Sequence, residues 1–586
     1  MSKILSFLLS FIMVFGNFQV NIINTVIDSI GSVATGIPFS DSAVNDEFID
    51  DIESSDIVKS NKSCAYLNNL IMLFFEDNTR VFEKSKVFSK YGLTLAGWCC
   101  AADMYVVSVP VLTLNSIEKV CDDITADFDC VKLAAPIPLI KTTPDYTPDD
   151  PFESGALWSS SNNNFDRWAY DAIDYRQAMN YSEYLGNVKI GIIDSGFDTD
   201  HIDLKNKISF PNSRYAKRNN VEEHGTFVAG QIAALADNGT GVCGVCSNAE
   251  LICADWEDED GASWLDSLRI FFGFCRLVKS GCKVINMSLG TSSNVSEITS
   301  SLTRGFNMDA KIYSAAISAL LGKGYDFVVV QSAGNGNADG KPIDTFYNGH
   351  FCSITKDNAL SVSFKVSVDD ILARVIPVAA ARMNSTGGVY LASYSNTGKY
   401  IAVAAPGSAI YGLYPGNEYG YMSGTSMAAP FTAAVAGLIW SANSSLSGAK
   451  VKEILTQSTV YSAAGVNGDN LSYPFINAKL SVENALKLKY SMTKLTGTLV
   501  APEEITDDDC IEISINGKTK KITAESGNID LLIENGYGII KSIPQFESYS
   551  CDDVSFNADG SALDLGEIIY QLIEPEDDNT GESEAA

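Results

Sequence analysis

Histidine is scarce in this chain of 586 residues, which has three: His201, His224 and His350. Histidine is the side chain whose ordinary pKa lies closest to neutral pH, and it is the commonest general base of hydrolytic sites. A histidine base for hydrolysis at neutral pH must therefore be one of these three. The pattern around each residue then decides which one.

Cysteine is present in an odd number, 13, so the cysteines cannot all pair within one chain. Cys243 and Cys246 form a Cys-x-x-Cys pair, but a zinc site would need a second pair or nearby histidines, and neither is present. We therefore expect buried free thiols or a few disulfides, and neither a zinc site nor a redox pair.

Positive charge is also in short supply, since 41 Lys and Arg stand against 72 Asp and Glu and give a formal net charge of −31. Binding to a phosphate backbone needs a basic surface, so nucleic acid is excluded as a partner. An acidic surface also repels anionic membranes. The composition favours a soluble protein that acts on something other than nucleic acid.

Long apolar runs are missing after the first one. Residues 4–20 follow Lys3 and are nearly all apolar, which is short for a membrane span and typical of the core of a secretory signal. We predict cleavage after Gly16 or after Ala34 and a secreted, extracellular protein. The alternative is an uncleaved N-terminal anchor, and no later run predicts another contact with a membrane.

Composition and periodicity divide the chain into segments separated by a polar, proline-rich linker at 141–150 (KTTPDYTPDD). Alternating strands and helices favour α/β structure, and short extended runs between turns favour a β-sandwich. The predicted segments are a signal peptide over 1–34, a small α/β domain over 61–140, a larger α/β domain with a mostly parallel sheet over 150–489, a β-sandwich over 493–573 and an acidic, disordered tail over 574–586.

Three polar residues stand where hydrolytic chemistry is expected. Asp194 ends the apolar run 188–193, and reactive groups gather at the carboxyl ends of strands in open α/β sheets. His224 opens a helical run of small residues, and the glycine after it lets another backbone approach closely. Ser426 opens an apolar helix, whose free N–H groups would favour an oxyanion. An aspartate can orient a histidine that activates a serine.

The motifs Asp-Ser-Gly at 194–196, His-Gly-Thr at 224–226 and Gly-Thr-Ser-Met-Ala at 424–428 resemble the three signatures of the subtilases, in the subtilisin-like order. The resemblance covers 150–489 and implies a three-layer α/β domain with serine endopeptidase activity. It implies that Ser426 is the nucleophile, that His224 takes and passes on its proton, that Asp194 holds His224, and that Asn335 donates to the oxyanion. Chemistry then requires no cofactor and no catalytic metal.

The resemblance also implies a substrate site with two walls. One is a strand edge that pairs with the extended substrate backbone, and the other faces it across the first specificity pocket. The residues are Ser288, Leu289 and Gly290 for the first wall and Ser332, Ala333 and Gly334 for the second. Residues 344–372 are longer than is usual in the family, so specificity is not implied. The acidic run 257–260 would favour basic residues at the outer substrate sites.

Other positions carry weaker expectations. Asp203 and the pair 237–238 lie where many relatives bind a structural calcium ion, although ordinary turn residues are an equal alternative. Phe227 replaces a second histidine that many subtilases have, outside the proton relay. His201 is expected to be structural and His350 exposed.

The flanking segments imply partners. The domain over 61–140 resembles a subtilase propeptide, which would occupy the cleft and be cleaved off between Pro138 and Asp150; an unrelated accessory domain is the alternative. The C-terminal segment resembles carboxypeptidase-regulatory-like sandwiches. The alternative is a dockerin-like calcium loop, whose ligands would be Asp553, Ser555, Asn557 and Asp564. The expected partners are polypeptide substrates and the chain's own propeptide. Rival functions are an inactive binding scaffold and a processing protease with one target.

Overall fold

The computed structural model of the protein describes most of the chain between Ile57 and Leu572. The described residues are 57–59, 64–77, 79–99, 102–110, 114–140, 143–144, 168–211, 221–236, 238, 240–256, 266–384, 388–465, 471–500, 510–523, 527–541, 549–550, 554–569 and 571–572. The predicted signal peptide, the acidic run 257–260, most of the linker and the acidic tail lie outside these residues.

The amino-terminal part is an antiparallel sheet of five strands with two helices. The strand order is β1-β2-β4-β3, and β5 pairs with the other edge of β2. The elements are β1 Ile57–Lys59, β2 Cys64–Phe75, α1 Val81–Tyr91, β3 Thr94–Cys99, β4 Met104–Ser108, α2 Leu114–Asp127 and β5 Val131–Ile140. A two-residue strand, β6, follows at Thr143–Pro144.

The central part is built on a ten-stranded, mostly parallel sheet in the order β19-β18-β14-β13-β12-β10-β7-β9-β8, with β15 also paired to β13. Its strands are β7 Lys189–Asp194, β8 Ile208–Ser209, β9 Glu250–Asp255, β10 Val284–Met287, β12 Val328–Ser332, β13 Val375–Met383, β14 Val389–Leu391, β15 Val403–Pro406, β18 Ser462–Ala464 and β19 Ser472–Pro474. Outside this sheet, β11 is Leu289–Gly290, and β16 Ile410–Tyr414 forms a hairpin with β17 Glu418–Met422.

Nine helices accompany this sheet within the described residues. They are α3 Trp168–Ala172, α4 Tyr175–Met179, α5 Glu223–Ala233, α6 Asp266–Lys279, α7 Ser300–Gly322, α8 Val368–Leu372, α9 Thr425–Ala442, α10 Gly448–Gln457 and α11 Ala478–Lys487. Within the described part of the chain, α9 alone is long and apolar enough to cross a membrane, so the expectation that no long apolar run follows residues 4–20 is wrong. The helix is wholly buried in the protein core.

The sheet is the middle of three layers. On β7, Ile190 and Ile192 join the apolar cluster that contains α5 and α9, whereas Ile193 joins the cluster that contains α6 and α7. A strand covered on both faces has no solvent side, which is why β7 is apolar from Ile190 to Ile193. The predicted α/β architecture with a mostly parallel sheet is confirmed.

The amino-terminal sheet packs on the central part through one face. Alternate residues of β2 point to opposite faces: Leu73 and Phe75 pack beneath α1 and α2, and Met72 and Phe74 join the apolar cluster of α6 and α7. One apolar cluster therefore crosses from the first sheet into the helical layer of the central part.

In its described residues the carboxy-terminal part consists of strands. One sheet has the order β23-β20-β27, a second has the order β22-β21-β24-β26, and β25 pairs with β28. The bounds are β20 Met492–Val500, β21 Cys510–Ile515, β22 Lys518–Thr523, β23 Asn528–Glu534, β24 Gly536–Lys541, β25 Tyr549–Ser550, β26 Val554–Ala558, β27 Leu563–Ile569 and β28 Gln571–Leu572. Of the residues that suggested a calcium loop, Ser555 and Asn557 lie on β26 and Asp564 lies on β27, in extended conformation, and Asp553 lies outside the described residues.

Candidate active site

Asp194 and His224 meet at the carboxyl end of the central sheet. Asp194 is the last residue of β7, and His224 is the second residue of α5. The imidazole Nδ1 lies 2.6 Å from Asp194 Oδ1, which also accepts a hydrogen bond of 2.8 Å from the Ser195 backbone N–H. Both side chains are buried. A carboxylate held in this way can fix the ring and stabilise its charged form.

Gly225 explains how the two residues come so close. A Cβ atom at this position would lie 2.2 Å from the Gly196 carbonyl oxygen and 2.6 Å from the Ser195 carbonyl oxygen. Any larger residue would push the start of α5 away from the turn that follows β7. The sequence-based expectation of a close backbone approach beside His224 is confirmed.

Ser426 is the second residue of α9, a helix that packs against α5. Its hydroxyl donates to the Ser288 carbonyl oxygen at 3.2 Å, and the Ser288 hydroxyl donates to the Ser426 carbonyl oxygen at 2.8 Å. Pro430 lies four residues later inside the helix and has no N–H to offer that carbonyl. Ser288 therefore supplies the hydrogen bond that the helix lacks and ties the start of α9 to the strand edge.

Asn335 lies beside this helix start with its amide in a defined orientation. Its Oδ1 accepts hydrogen bonds from the Thr425 backbone N–H at 2.8 Å and from the Thr425 hydroxyl at 2.9 Å. Its buried Nδ2 has no hydrogen-bond partner among the described residues. Thr425 also accepts a hydrogen bond of 3.1 Å from the Gly334 N–H. A buried amide donor without a partner, next to a serine, is suited to a developing oxyanion.

Thr425 is a residue that the sequence reasoning missed as a functional candidate. It stands inside the Gly-Thr-Ser motif, and the motif indicates a family signature but not a contact between Thr425 and another residue. Its hydroxyl joins Asn335 and Gly334, which lie about ninety positions earlier in the chain. No local pattern around either residue indicates that contact.

The two predicted substrate walls flank this site. The edge Leu289–Gly290 forms β11, and β11 pairs antiparallel with β6, with Leu289 opposite Pro144 and Gly290 opposite Thr143. The second wall is buried; it begins at Ser332, the last residue of β12, and continues through Ala333 and Gly334. The edge that was expected to bind a substrate backbone is thus occupied by a strand of the chain's own linker.

The other two histidines lie away from the proton-relay candidates. His201 is buried, and its Nδ1 accepts a hydrogen bond of 3.1 Å from the Asp203 N–H, as expected of a structural residue. The expectation that His350 is exposed is wrong, because its side chain is fully buried against Tyr313. Burial lowers the pKa of His350 to about 3 and raises that of the neighbouring Asp309 to about 7.

The loop with the possible calcium ligands is held by hydrogen bonds. Asp203 Oδ1 accepts from Asn238 Nδ2 at 2.6 Å and from the Thr240 hydroxyl at 3.2 Å. Its Oδ2 accepts from the Tyr419 hydroxyl at 3.0 Å and from the Val242 N–H at 3.3 Å. Calcium takes about six to eight oxygen ligands, and here both oxygens of the buried carboxylate already face donors. In the described part of this loop the carboxylate is therefore held by hydrogen bonds on both of its oxygens; residue 237 lies outside the described residues.

Phe227 and the cysteines contribute apolar packing. Phe227 stands where many subtilases have a second histidine; it is fully buried and meets Tyr414 edge-on with ring centroids 6.0 Å apart. Within the described residues neither Cys243 nor Cys246 forms a disulfide. The Cys243 thiol donates to the Tyr175 hydroxyl at 3.5 Å, and the Cys246 thiol donates to Asn248 Oδ1 at 3.4 Å. Burial raises the pKa of Cys246 to about 12, which keeps it protonated at neutral pH.

Comparisons with known proteins agree with this geometry. Residues 186–485 match the model of the subtilase family. A thermophilic serine proteinase of Bacillus sp. (strain AK1) is 26% identical over 407 residues, which is 69% of this chain and 85% of that protein. Subtilisin DY of Bacillus licheniformis is 32% identical over 302 residues, 51% of this chain and 91% of the relative.

Among solved structures, fervidolysin from Fervidobacterium pennivorans, a keratinolytic enzyme related to subtilisin, has a similar fold. The match has a TM-score of 0.50 at 16% identity and covers 90% of this chain and 82% of fervidolysin. The fold and the family match define a subtilisin-like serine protease. The chain belongs to the subtilase family and is a serine-type endopeptidase.

Proposed function

We propose that the protein is a secreted endopeptidase, made as an autoprocessed zymogen, that cleaves polypeptides through an acyl-enzyme on Ser426. The observation that carries the proposal is the buried contact of 2.6 Å between Asp194 Oδ1 and His224 Nδ1 at the end of β7. In this mechanism the ring accepts the Ser426 proton at Nε2 and delivers it to the leaving amine, while Asp194 stabilises the charged ring.

Asn335 would bind the oxyanion of the tetrahedral intermediate. Its Oδ1 is committed to Thr425, so the Nδ2 hydrogens are presented without reorganisation at the moment of reaction. The Ser426 N–H at the start of α9 would be the second donor. Ser288, Leu289 and Gly290 would pair with the substrate backbone, and Ser332, Ala333 and Gly334 would face them.

Two features support the zymogen. The pairing of β6 with β11 has the antiparallel geometry expected of a substrate strand, although it is made by the linker. The amino-terminal sheet also covers part of α6 and α7 with an apolar face, so it would remain attached after the linker is cut. Secretion is supported by the apolar run at 4–20.

Purified full-length protein is expected to cut its own linker between Pro144 and Asp150. In the pairing of β6 with β11, Pro144 lies opposite Leu289. Ser288 is the residue before Leu289, and its carbonyl oxygen lies 3.2 Å from Ser426 Oγ. The cut should therefore follow Pro144 closely. Sequencing the new amino terminus measures this position. A serine-directed fluorophosphonate should block the conversion and label the converted chain; a folded protein that neither converts nor is labelled would indicate an inactive binding scaffold.

We propose further that the Asp203 loop keeps its conformation through hydrogen bonds and not through calcium. A chelator should then leave the midpoint of thermal unfolding unchanged, whereas Tyr419→Phe should lower the unfolding free energy by about 1 kcal/mol, the size of one hydrogen bond. Burial raises the pKa of Tyr419 to about 12, so the hydroxyl remains a donor at neutral pH. A calcium-dependent rise of the midpoint, measured by calorimetry with and without chelator, would contradict the proposal.

A further inference from the structure

A side chain from the long segment 344–372 lies between the two predicted walls of the first specificity pocket. Asn348 ends a 3₁₀ turn, Thr345–Asn348, and its side chain is fully buried. Its Nδ2 donates to the Ser332 carbonyl oxygen at 2.8 Å. Its Oδ1 accepts from the Thr291 N–H at 3.2 Å and from the Ser292 N–H at 3.1 Å. The Asn348 carboxamide therefore links the second wall, at Ser332, to the two residues that follow the first wall, Thr291 and Ser292.

The carboxamide occupies the space between two wall glycines. A Cβ atom on Gly290 would lie 2.1 Å from Asn348 Oδ1 and 2.2 Å from its Nδ2. A Cβ atom on Gly334 would lie 2.7 Å from the same Oδ1. Gly334 has a φ of +98°, which favours glycine for conformational reasons, but Gly290 is not among the residues with positive φ. At Gly290 the close approach of Asn348 accounts for the missing side chain.

A second observation points to a ligand at this place. The Ser292 side chain is fully buried, and its hydroxyl has no hydrogen-bond partner within the described residues. That hydroxyl would lie 2.4 Å from a Cβ atom on Gly334, on the same side as the Asn348 carboxamide. A buried hydroxyl without a partner is costly, so it favours an occupant that supplies one.

We infer that Asn348 is the floor of the first specificity pocket and restricts the residue before the cleaved bond to small side chains, with serine favoured by Ser292. The inference rests on the proposed function, because the walls bind substrate only if Ser426 is the nucleophile. An aromatic side chain would have to displace a carboxamide that makes three hydrogen bonds to the backbone on both sides of the pocket. A specificity-determining residue thus comes from the segment in which the chain departs from its family.

The test uses the processed enzyme and peptides in which the linker's own Thr-Pro precedes a varied residue at the cleaved bond. The ratio of kcat/KM for serine or alanine over phenylalanine should be about 100-fold or more, the range in which a closed pocket discriminates by size. Asn348→Ala should lower that ratio at least about tenfold. Ser292→Ala should remove the preference for serine over alanine and leave the exclusion of phenylalanine.

Asn358→Ala is the matched control, because Asn358 lies in the same segment and bonds Asn307 and the Ser353 carbonyl instead of the walls. It should leave the ratio unchanged. If Asn348→Ala does not fold, the profile of the wild-type enzyme decides alone, and a preference for phenylalanine or leucine overturns the inference. A folded Asn348→Ala with the wild-type ratio overturns it as well. If no peptide is cleaved and no fluorophosphonate is bound, the proposed function itself fails.

Discussion

Ser426→Ala is expected to abolish hydrolysis and to leave the chain in its unprocessed, full-length form. Loss of the nucleophile in subtilisins lowers kcat by on the order of 10⁶-fold, because without it the serine–histidine–aspartate relay provides no catalysis. The same residue would cut the linker that pairs with β11. Gel electrophoresis of the purified variant and hydrolysis of an unstructured protein substrate measure the two effects.

Ser441→Ala provides the control for this experiment. Ser441 lies on the same helix, is buried, and donates to the Leu438 carbonyl oxygen at 3.0 Å, far along α9 from its start. It should process and hydrolyse like the wild type. Residual turnover of Ser426→Ala within about 100-fold of the wild type would show that the acyl-enzyme forms elsewhere, since the oxyanion hole and binding alone account for only about 10³–10⁴-fold over water.

Asn335→Ala is expected to lower kcat by about 10²–10³-fold with little change in KM, because an oxyanion donor acts on charge that develops in the transition state. Steady-state kinetics with a soluble peptide separate the two constants. A variant with lowered affinity and unchanged kcat would assign Asn335 to substrate binding instead.

Thr425 offers a finer version of the same test. Thr425→Val removes the hydroxyl that holds Asn335 Oδ1 at 2.9 Å but keeps the backbone N–H that holds it at 2.8 Å. The expected loss in kcat is about tenfold, equivalent to one neutral hydrogen bond. Thr425→Ser keeps the hydroxyl and should stay close to the wild type. If both variants equal the wild type, the orientation of the Asn335 amide does not depend on this contact.

The local parts of the site could be predicted from the sequence because each has a local cause. The four residues before Asp194, 190–193, are all apolar, as the covered faces of β7 require. The two helix starts, at His224 and at Ser426, are indicated by the small residues beside them in the sequence. By contrast, β3 has no clear local pattern, because it is a short run interrupted by Gly97, where its pairing with β4 shifts register.

Contacts over long sequence distances could not be predicted. Ser288 and Ser426 exchange hydrogen bonds across 138 positions, and Asn348 reaches Thr291 across 57. His350 was expected to be exposed because a histidine in an unfamiliar segment has no local sign of burial. Its ring packs against Tyr313 of α7, and only the path of the whole segment determines that.

A buried network at the carboxy-terminal boundary bears on how the molecule can be divided. Glu483 on α11 is almost fully buried and accepts from the Tyr181 hydroxyl at 2.7 Å and from Lys494 of β20 at 3.1 Å. Tyr181 in turn accepts a hydrogen bond from the Leu532 N–H of β23 at 2.7 Å. A cut near residue 493 would leave the buried carboxylate of Glu483 without the ammonium group of Lys494, so removal of the carboxy-terminal part should destabilise the central part.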